Sequence, residues 1–203
     1  MSEYQKIKKN SLDFVSEKNN KFLNIYLGLN QLKNTLRTGW IKYHKMDEKY
    51  VESVADHSFA TATMSYIIAK ELKLDLDYEK LLKMALFHEI GEIKAGDIVS
   101  YKNRDLTEDE KWKIEKDGIE EIFQGWYVAE EIKGLWMEFE AQKTKEAKFV
   151  RSMDQLEAVF QAWVYQKNNL VGESVKEFKK YAKETAEKNG NINILEILDE
   201  VEL

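Results

Sequence analysis

The chain has 203 residues, enough for one domain with a sizeable hydrophobic core. Hydrophobic residues make up 43% and charged residues 33%, the ordinary composition of a soluble globular protein, and no stretch approaches the 18 apolar residues of a transmembrane helix. Residues 1–50 carry 10 basic and 5 acidic residues, whereas the remainder carries 21 basic and 32 acidic residues, for a net charge of −6. No segment therefore has the basic surplus of a nucleic-acid-binding domain. The basic N-terminal segment is interpreted as solvated helix faces, with steering of an anionic ligand as the alternative.

Cysteine is absent, so disulfides and thiolate ligands are excluded, which is compatible with a reducing cytoplasm. The polar residues 1–6 lack the apolar core of a signal peptide. Proline is absent as well, and only 9 glycines occur, so turn-forming residues are few and long helices are favoured. We predict a cytoplasmic, all-α, single-domain helical bundle over residues 1–203, with no membrane partner and no nucleic-acid partner.

Hydrophobic periodicity predicts the helices in chain order. They are expected over residues 4–17, 21–36, 53–72, 78–92, 108–123, 127–142, 144–168, 173–188 and 192–201. Gly39 is expected to end the second helix in the left-handed conformation, and Asp77 to cap the fourth. Thr107 and Glu110 form a capping box before the fifth helix. Polar loops are predicted up to about Val51 and over 93–106, and 189–191 is predicted to be a turn.

A histidine and two carboxylates stand at the end of the predicted helix 78–92. His88 and Glu92 are four residues apart and Glu89 and Glu92 three, so on a helix the three side chains project within an arc of roughly 100°. Such a cluster beside buried apolar residues costs free energy unless it is hydrogen-bonded, ion-paired or metal-bound. The pattern predicts a metal site, but not a zinc-protease helix, because residue 92 is Glu where H-E-x-x-H needs a second histidine.

The chain contains three histidines, His44, His57 and His88. A lone helical histidine is more often a core or surface residue than a ligand. His57 nevertheless lies in the helix before that of His88, and adjacent antiparallel helices can bring the two imidazoles together. We expect His57 to be a ligand, whereas His44 lies in a polar loop and is assigned no role.

A fourth candidate ligand, Asp154, borders the buried stripe of the predicted helix 144–168. Arg151 and Glu157 lie three residues to either side of Asp154. An exposed ladder of ion pairs is therefore the alternative interpretation of this segment.

The order His57, His88-Glu89, Asp154 resembles the H…HD…D motif of the HD-domain superfamily of metal-dependent phosphohydrolases. Five separated segments also resemble, in the right order, the branch that contains the 5′-deoxynucleotidases. These segments are Arg37-Thr38-Gly39-Trp40, Glu52-Ser53-Val54-Ala55-Asp56-His57-Ser58, Gly91-Glu92, Gly96-Asp97-Ile98 and Glu146-Ala147-Lys148-Phe149-Val150. The resemblance covers about residues 30–165, with the C-terminal helices of about 173–201 outside it, and implies a helical bundle of the HD-domain type.

The resemblance implies one divalent metal with four ligands: His57, His88, Glu89 and Asp154. Two imidazoles and two carboxylates suit Mn²⁺, Co²⁺, Fe²⁺ or Zn²⁺ better than Ca²⁺. Glu89 departs from the family's His-Asp doublet, and its extra bond moves the carboxylate by roughly 1.5 Å, against a tolerance in ligand distance of about 0.2 Å. We expect a modified site. The guanosine-tetraphosphate hydrolase branch, with H-D-x-x-E-D, fits less well because Ile93 follows Glu92.

The resemblance also implies catalytic and substrate-binding roles. Glu92 is expected to orient or deprotonate a water molecule. Asp97, after Gly96, is expected to contact the sugar or assist proton transfer, and Glu92 with Asp97 to hold a second cation such as Mg²⁺. Arg37 is expected to donate to phosphate and Trp40 to form an aromatic wall for the sugar or base, the alternatives being a charge at a helix end and a core aromatic.

The function implied is a divalent-metal-dependent phosphohydrolase that releases phosphate from (deoxy)nucleoside 5′-monophosphates. The alternative is a catalytically weakened or inactive HD-fold module that binds nucleotides or dimerises. The resemblance further implies a homodimer, and the aromatic content of 12% is generous for a helical chain. Several aromatic residues lie in C-terminal helices that the metal site does not require, either in an interface or in the core: Trp126, Trp136, Phe139 and Trp163.

Overall fold

The computed structural model describes residues 10–98 and 106–203. Within these ranges the chain forms ten α-helices, three 3₁₀ turns and no strand, with one isolated bridge between Leu36 and Ser53. The α-helices are α1 (Lys21–Asn34), α2 (Thr38–Lys42), α3 (Val54–Glu71), α4 (Tyr78–Phe87), α5 (Glu92–Ala95), α6 (Glu108–Ile122), α7 (Ala129–Ala141), α8 (Lys145–Lys167), α9 (Lys176–Asn189) and α10 (Ile192–Glu200). The 3₁₀ turns are Ser11–Phe14, Glu48–Tyr50 and Glu173–Val175. The predicted all-α fold class is confirmed, and no helix in the described ranges combines the length and apolarity needed to cross a membrane.

The main core lies around α8, which packs against α3, α4, α7, α9 and α10. Its largest fully buried side chains include Leu81 and Met84 of α4 and Phe149, Met153 and Leu156 of α8. The C-terminal helices α9 and α10 contribute four buried side chains to the same core: Ala182, Ala186, Ile194 and Leu198. The C-terminal helices therefore share one hydrophobic core with the motif-bearing helices.

A second apolar cluster joins α1, α6 and α7 to the segment that follows α4. Trp136 of this cluster is fully buried, as is Phe139 in the main core. Trp126 packs at the edge of the second cluster, whereas Trp163 is 40% exposed. Two of the four aromatic residues considered for an interface therefore fill the core.

The helix predicted over residues 78–92 ends at Phe87, so this part of the prediction was wrong. From His88 the chain continues through turns with hydrogen bonds from Ile90 N to Phe87 O and from Glu92 N to Glu89 O. Bonds of this i→i+3 type tighten the end of a helix and satisfy its carbonyl groups. The loop predicted from residue 93 accordingly begins with the short helix α5.

The helix predicted over residues 4–17 was also wrong where it is described: Ser11–Phe14 is a 3₁₀ turn, and residues 1–9 lie outside the described ranges. Side chains compete here with helical hydrogen bonds, because Asn19 donates to Phe14 O and Asn24 donates to Ser16 O. The predicted caps at Asp77 and at Thr107, with its capping box, are confirmed, as is a turn at Gly190 with φ of 72°.

Gly39 does not terminate a helix in the left-handed conformation, contrary to the prediction, but lies inside α2. α1 ends at Asn34 because residues 35–37 become extended and bond to the start of α3. Arg37 N donates to Glu52 O, and Val54 N donates to Thr35 O. This short pairing holds Arg37 beside the N-terminus of α3.

Gly91 marks a close contact between the turn after α4 and helix α6. A Cβ atom at this position would lie 2.6 Å from Cβ and 3.2 Å from Cα of Glu115. We expect Gly91→Ala to lower the free energy of unfolding by about 1–3 kcal/mol, because α6 must move to accept the methyl group. Gly134→Ala in α7, whose Cβ would meet nothing within 4 Å, is the matched control and should be neutral or stabilising. Denaturant unfolding measures both, and equal stabilities would contradict the close contact.

Candidate metal centre and active-site cleft

The four predicted metal ligands converge from three parts of the chain. His57 lies in the first turn of α3, His88 and Glu89 follow α4, and Asp154 lies in α8. One donor atom from each lies within 4.8 Å of the others. His57 Nε2 is 3.1 Å from Asp154 Oδ1, 3.4 Å from His88 Nε2 and 3.9 Å from Glu89 Oε1. The structure thus brings together all four side chains on which the sequence prediction depends.

Both imidazoles are oriented by hydrogen bonds on the nitrogen that faces away from the cluster. His57 Nδ1 is 2.6 Å from Glu157 Oε2, and His88 Nδ1 is 2.7 Å from the carbonyl oxygen of Ala85. A histidine that binds a metal ordinarily donates its other N–H to such an acceptor, which fixes the tautomer. The two Nε2 atoms therefore face each other as a ready pair of ligands, and the donor set fits a divalent transition metal.

Glu157 is a functional candidate that the sequence analysis missed. An exposed ladder of ion pairs was the alternative interpretation of its segment, but Glu157 is buried and accepts from His57. Arg151 does pair with Asp154, at 3.2 Å, so the ladder is present on one side only. The signal available in the sequence was the spacing of three residues from Asp154, which places Glu157 on the same buried stripe of α8.

The electrostatics of the cluster favour a cation. Burial and Arg37 lower the pKa of His57, but hydrogen bonds with Asp154 and Glu157 outweigh them and raise it to about 10. Burial lowers the pKa of His88. The cluster on its own therefore holds one imidazolium among carboxylates, and a divalent metal that binds here has to displace that proton.

Glu89 reaches the cluster in spite of its longer side chain. Its Oε1 lies 3.7 Å from His88 Nε2 and 3.1 Å from Arg37 Nη1, and the side chain is 16% exposed. Burial raises the pKa of Glu89, but His88 and Arg37 more than offset this and hold the pKa at about 2. A charged carboxylate thus stands at the position where the family has aspartate.

Glu92 is 1% exposed and lines the same cleft. Its Oε2 has no hydrogen-bond partner among the described residues. Burial, and then the nearby charges of Glu89 and Asp97, raise the pKa of Glu92 well above its usual range. A buried carboxyl group of this kind can hold or pass on a proton next to the cluster.

Asp97 and Arg37 form a bridge across the mouth of the cluster. Asp97 Oδ2 accepts from the backbone N–H of Thr38, and Oδ1 lies 3.4 Å from Arg37 Nη1. Gly96, with φ of 70°, provides the sharp turn that was expected before Asp97. Both carboxylate oxygens of Asp97 are therefore engaged by protein donors. The binding of a second cation between Glu92 and Asp97 stays a prediction.

Trp40 is at once a core residue and part of the cleft wall. It is 3% exposed, its indole N–H donates to Glu52 Oε1 at 2.9 Å, and its ring stacks on Phe178 with centroids 4.7 Å apart. His44, to which the sequence analysis assigned no role, lines the same wall, with Nδ1 2.8 Å from Ser174 Oγ. The role of Trp40 toward a sugar or base stays a prediction.

These residues line a cleft of about 410 Å³. Helix α6 supplies Lys111, Trp112 and Glu115 to its wall, and α9 supplies Phe178 and Tyr181. None of the five belongs to the motifs on which the sequence analysis rested. Their position in the cleft depends on how α6 and α9 pack, which periodicity within each helix does not reveal.

Comparisons with known proteins show which family and which solved structures the chain resembles. The HD-domain family model matches residues 29–193. The 5′-deoxynucleotidase HDDC2 of Dictyostelium discoideum is 34% identical over 153 residues, which are 72% of this chain and 78% of that protein. The Xenopus laevis protein of the same name is 37% identical over 138 residues, 67% of this chain and 65% of that protein. A solved structure of a conserved hypothetical protein from Pyrococcus furiosus is 28% identical and superimposes with a TM-score of 0.71 over 88% of this chain and 97% of its own.

The family model covers most of the described helices, and its match includes all four converging side chains. The resemblance inferred from the motifs is thereby confirmed. The chain belongs to the HD-domain family.

Proposed function

We propose that this chain is a divalent-metal-dependent phosphohydrolase that releases phosphate from nucleoside 5′-monophosphates, with a preference for deoxyribonucleotides. The observation that carries the proposal is the convergence of His57, His88, Glu89 and Asp154, with both imidazoles oriented for binding. The relatives named 5′-deoxynucleotidases support the substrate class. The cleft of about 410 Å³ has room for a compound of this size.

The proposed cofactor is one transition metal held by four side chains: His57, His88, Glu89 and Asp154. When bound, it supplies an acidified water and a polarised phosphoryl oxygen. A donor set of two imidazoles and two carboxylates accepts Mn²⁺, Co²⁺, Fe²⁺ or Zn²⁺. The order of affinity among these ions is determined mainly by the ion itself, not by the details of this site.

Glu92 is the proposed proton carrier. Positive charge in the cluster lowers the pKa of a nearby carboxyl group, so Glu92 can accept a proton from the attacking water. The same proton can then pass to the O5′ atom of the departing nucleoside, which completes the hydrolysis. Glu92 is buried, and because its Oε2 atom has no hydrogen-bond partner among the described residues, that oxygen is available to the attacking water.

Arg37 is the proposed phosphate ligand from the α2 side. Its guanidinium now neutralises Glu89 and Asp97. A cation in the cluster takes over the neutralisation of Glu89, which releases N–H groups of Arg37 for the phosphoryl oxygens.

The homodimer and the cytoplasmic location stay predictions.

The direct test is phosphate release from a panel of ribo- and deoxyribonucleoside monophosphates, with each divalent metal in turn. We expect turnover by the parent and a loss of about 10²–10⁴-fold in Glu92→Gln, since general acid–base catalysis contributes that much. Elemental analysis should find about one metal per chain in both proteins. Binding of nucleotides without turnover under any metal would instead establish the inactive module.

Glu157 should control metal affinity without being a ligand. We expect Glu157→Gln to weaken metal binding by about 10–100-fold, because the amide supports the His57 imidazole less well than the carboxylate does. Glu146→Gln is a matched control, since Glu146 is also buried in α8 but bonds to Asp77 N and Lys80. Titration of the metal-free proteins with Mn²⁺ measures the difference, and equal affinities in the two variants would exclude the role of Glu157.

Arg37→Ala should lose a charge-assisted hydrogen bond to the phosphate, worth about 1.5–3 kcal/mol. We expect kcat/KM for deoxynucleoside monophosphates to fall about 10–150-fold. Metal content should not fall, because Arg37 competes with the metal for Glu89. Lys33→Ala, an exposed cation of α1, should match the parent. If kcat/KM of Arg37→Ala stays within about twofold of the parent, the phosphate is held elsewhere.

A further inference from the structure

The cleft presents an unusual charge balance for the site of an anionic substrate. Nine carboxyl groups and three cations line it in the described residues, and the cations are Arg37, Lys111 and Arg151. A phosphate group that enters such a cleft meets strong repulsion unless cations face it. The binding of phosphate therefore depends on which of the three cations can turn toward it.

The two arginines are each held by a pair of carboxylates. Arg37 Nη1 lies 3.1 Å from Glu89 and 3.4 Å from Asp97. The guanidinium of Arg151 lies 3.0 Å from Glu140 and 3.2 Å from Asp154. Arg151 is thereby committed to a predicted metal ligand, and its release would leave that carboxylate without its arginine.

Lys111 is placed differently. Its one ion pair within 4 Å among the described residues is with Glu115, at 3.4 Å and one turn further along α6. The side chain is 23% exposed and lines the cleft. An ammonium group on a flexible stem can turn from a neighbouring carboxylate to a phosphate at little cost in hydrogen-bond geometry.

The backbone beneath Lys111 is fixed relative to the metal cluster. Glu115 packs directly on Gly91, in the turn that carries His88 and Glu89. Since α6 is helical from residue 108 to 122, Lys111 is held one turn from that contact. Lys111 lines the same cleft as Glu89 and Glu92, so its ammonium group lies on the side of α6 that borders the cluster.

We propose that Lys111 binds the phosphoryl group of the substrate from the α6 side of the cleft. Arg37, the other proposed phosphate ligand, comes from a different part of the chain, the segment before α2. This inference rests on the proposed function and adds to it a specific phosphate ligand outside the motifs quoted in the sequence analysis. Lys111 gives up its pairing with Glu115 in favour of the phosphate oxygens.

The test uses Lys111→Met, which keeps the length of the side chain and removes its charge, with Lys111→Arg as the conservative variant. Lys116→Met is the matched control, because Lys116 lies in the same helix and pairs with Glu120 four residues on, also at 3.4 Å. Inorganic phosphate is titrated into the Mn²⁺-loaded proteins by calorimetry, and kcat and KM are measured with deoxyadenosine monophosphate. Phosphate binding is a readout that does not require turnover.

We expect Lys111→Met to weaken phosphate binding and raise KM by about 10–100-fold, the loss of one charge-assisted hydrogen bond. Metal content should stay unchanged, Lys111→Arg should recover most of the binding, and Lys116→Met should match the parent. Phosphate affinity and KM within about twofold of the parent in Lys111→Met would overturn the proposal, as would a parent that binds no phosphate. A parent that binds phosphate but hydrolyses no monophosphate would disprove the proposed function and leave the binding comparison decisive for Lys111.

Glu115→Gln provides an independent test if Lys111→Met fails to fold. It removes the carboxylate that competes for Lys111 and should tighten phosphate binding several-fold at pH 8, above the pKa of about 7 to which burial raises Glu115. The gain should disappear at pH 6, below that pKa, where the Glu115 carboxyl group of the parent is itself largely protonated and no longer competes for Lys111. Unchanged phosphate affinity in Glu115→Gln would contradict the proposal.

Discussion

The hydrogen bond between His57 and Glu157 joins the two helices on which the rest of the structure is arranged. His57 is fully buried, and its Nδ1 meets Glu157 of α8 at 2.6 Å while its Nε2 faces Asp154 of the same helix. Buried charged groups are strongly destabilising unless they are paired with good geometry. The pairing of α3 with α8 is therefore part of the core packing and, at the same time, part of the metal cluster.

Arg37 imposes the second constraint, since it balances the excess of carboxylates at the mouth of the cluster. Burial lowers the pKa of Arg37, but Asp97, Glu89 and other carboxylates more than compensate and raise it, so the guanidinium stays charged. The short backbone pairing with Glu52 places Arg37 beside α3, whose first turn carries His57. Arg37 and the predicted metal ligand His57 are thus positioned by the same helix N-terminus.

Local chemistry explains which features could be predicted from the sequence. The capping box of α6 at Thr107 and the N-cap of α4 at Asp77 involve residues within three positions of each other, so the pattern is visible in the chain. The turn after Phe87 instead involves a tertiary contact, that of Gly91 with Glu115, which is 24 positions away. Motif order was enough to select the four converging side chains. The contact of Glu157 with His57 and the presence of Lys111 in the cleft follow from helix packing, which no local pattern encodes.

The turn after α4 and the pairing with Arg37 explain how Glu89 can occupy the position at which the family has aspartate. An unbroken helix would have set the carboxylate of Glu89 by the geometry of α4 alone. The tightened turn and the pairing with Arg37 set it instead, and Glu89 Oε1 lies at similar distances of 3.7 and 3.9 Å from the Nε2 atoms of His88 and His57. The additional bond is therefore taken up by a side chain that approaches the imidazoles from the cleft side, where it is 16% exposed. One consequence is that Glu89 couples metal binding to Arg37, the residue that is proposed to hold phosphate. The metal and the guanidinium compete for the same oxygen, Glu89 Oε1.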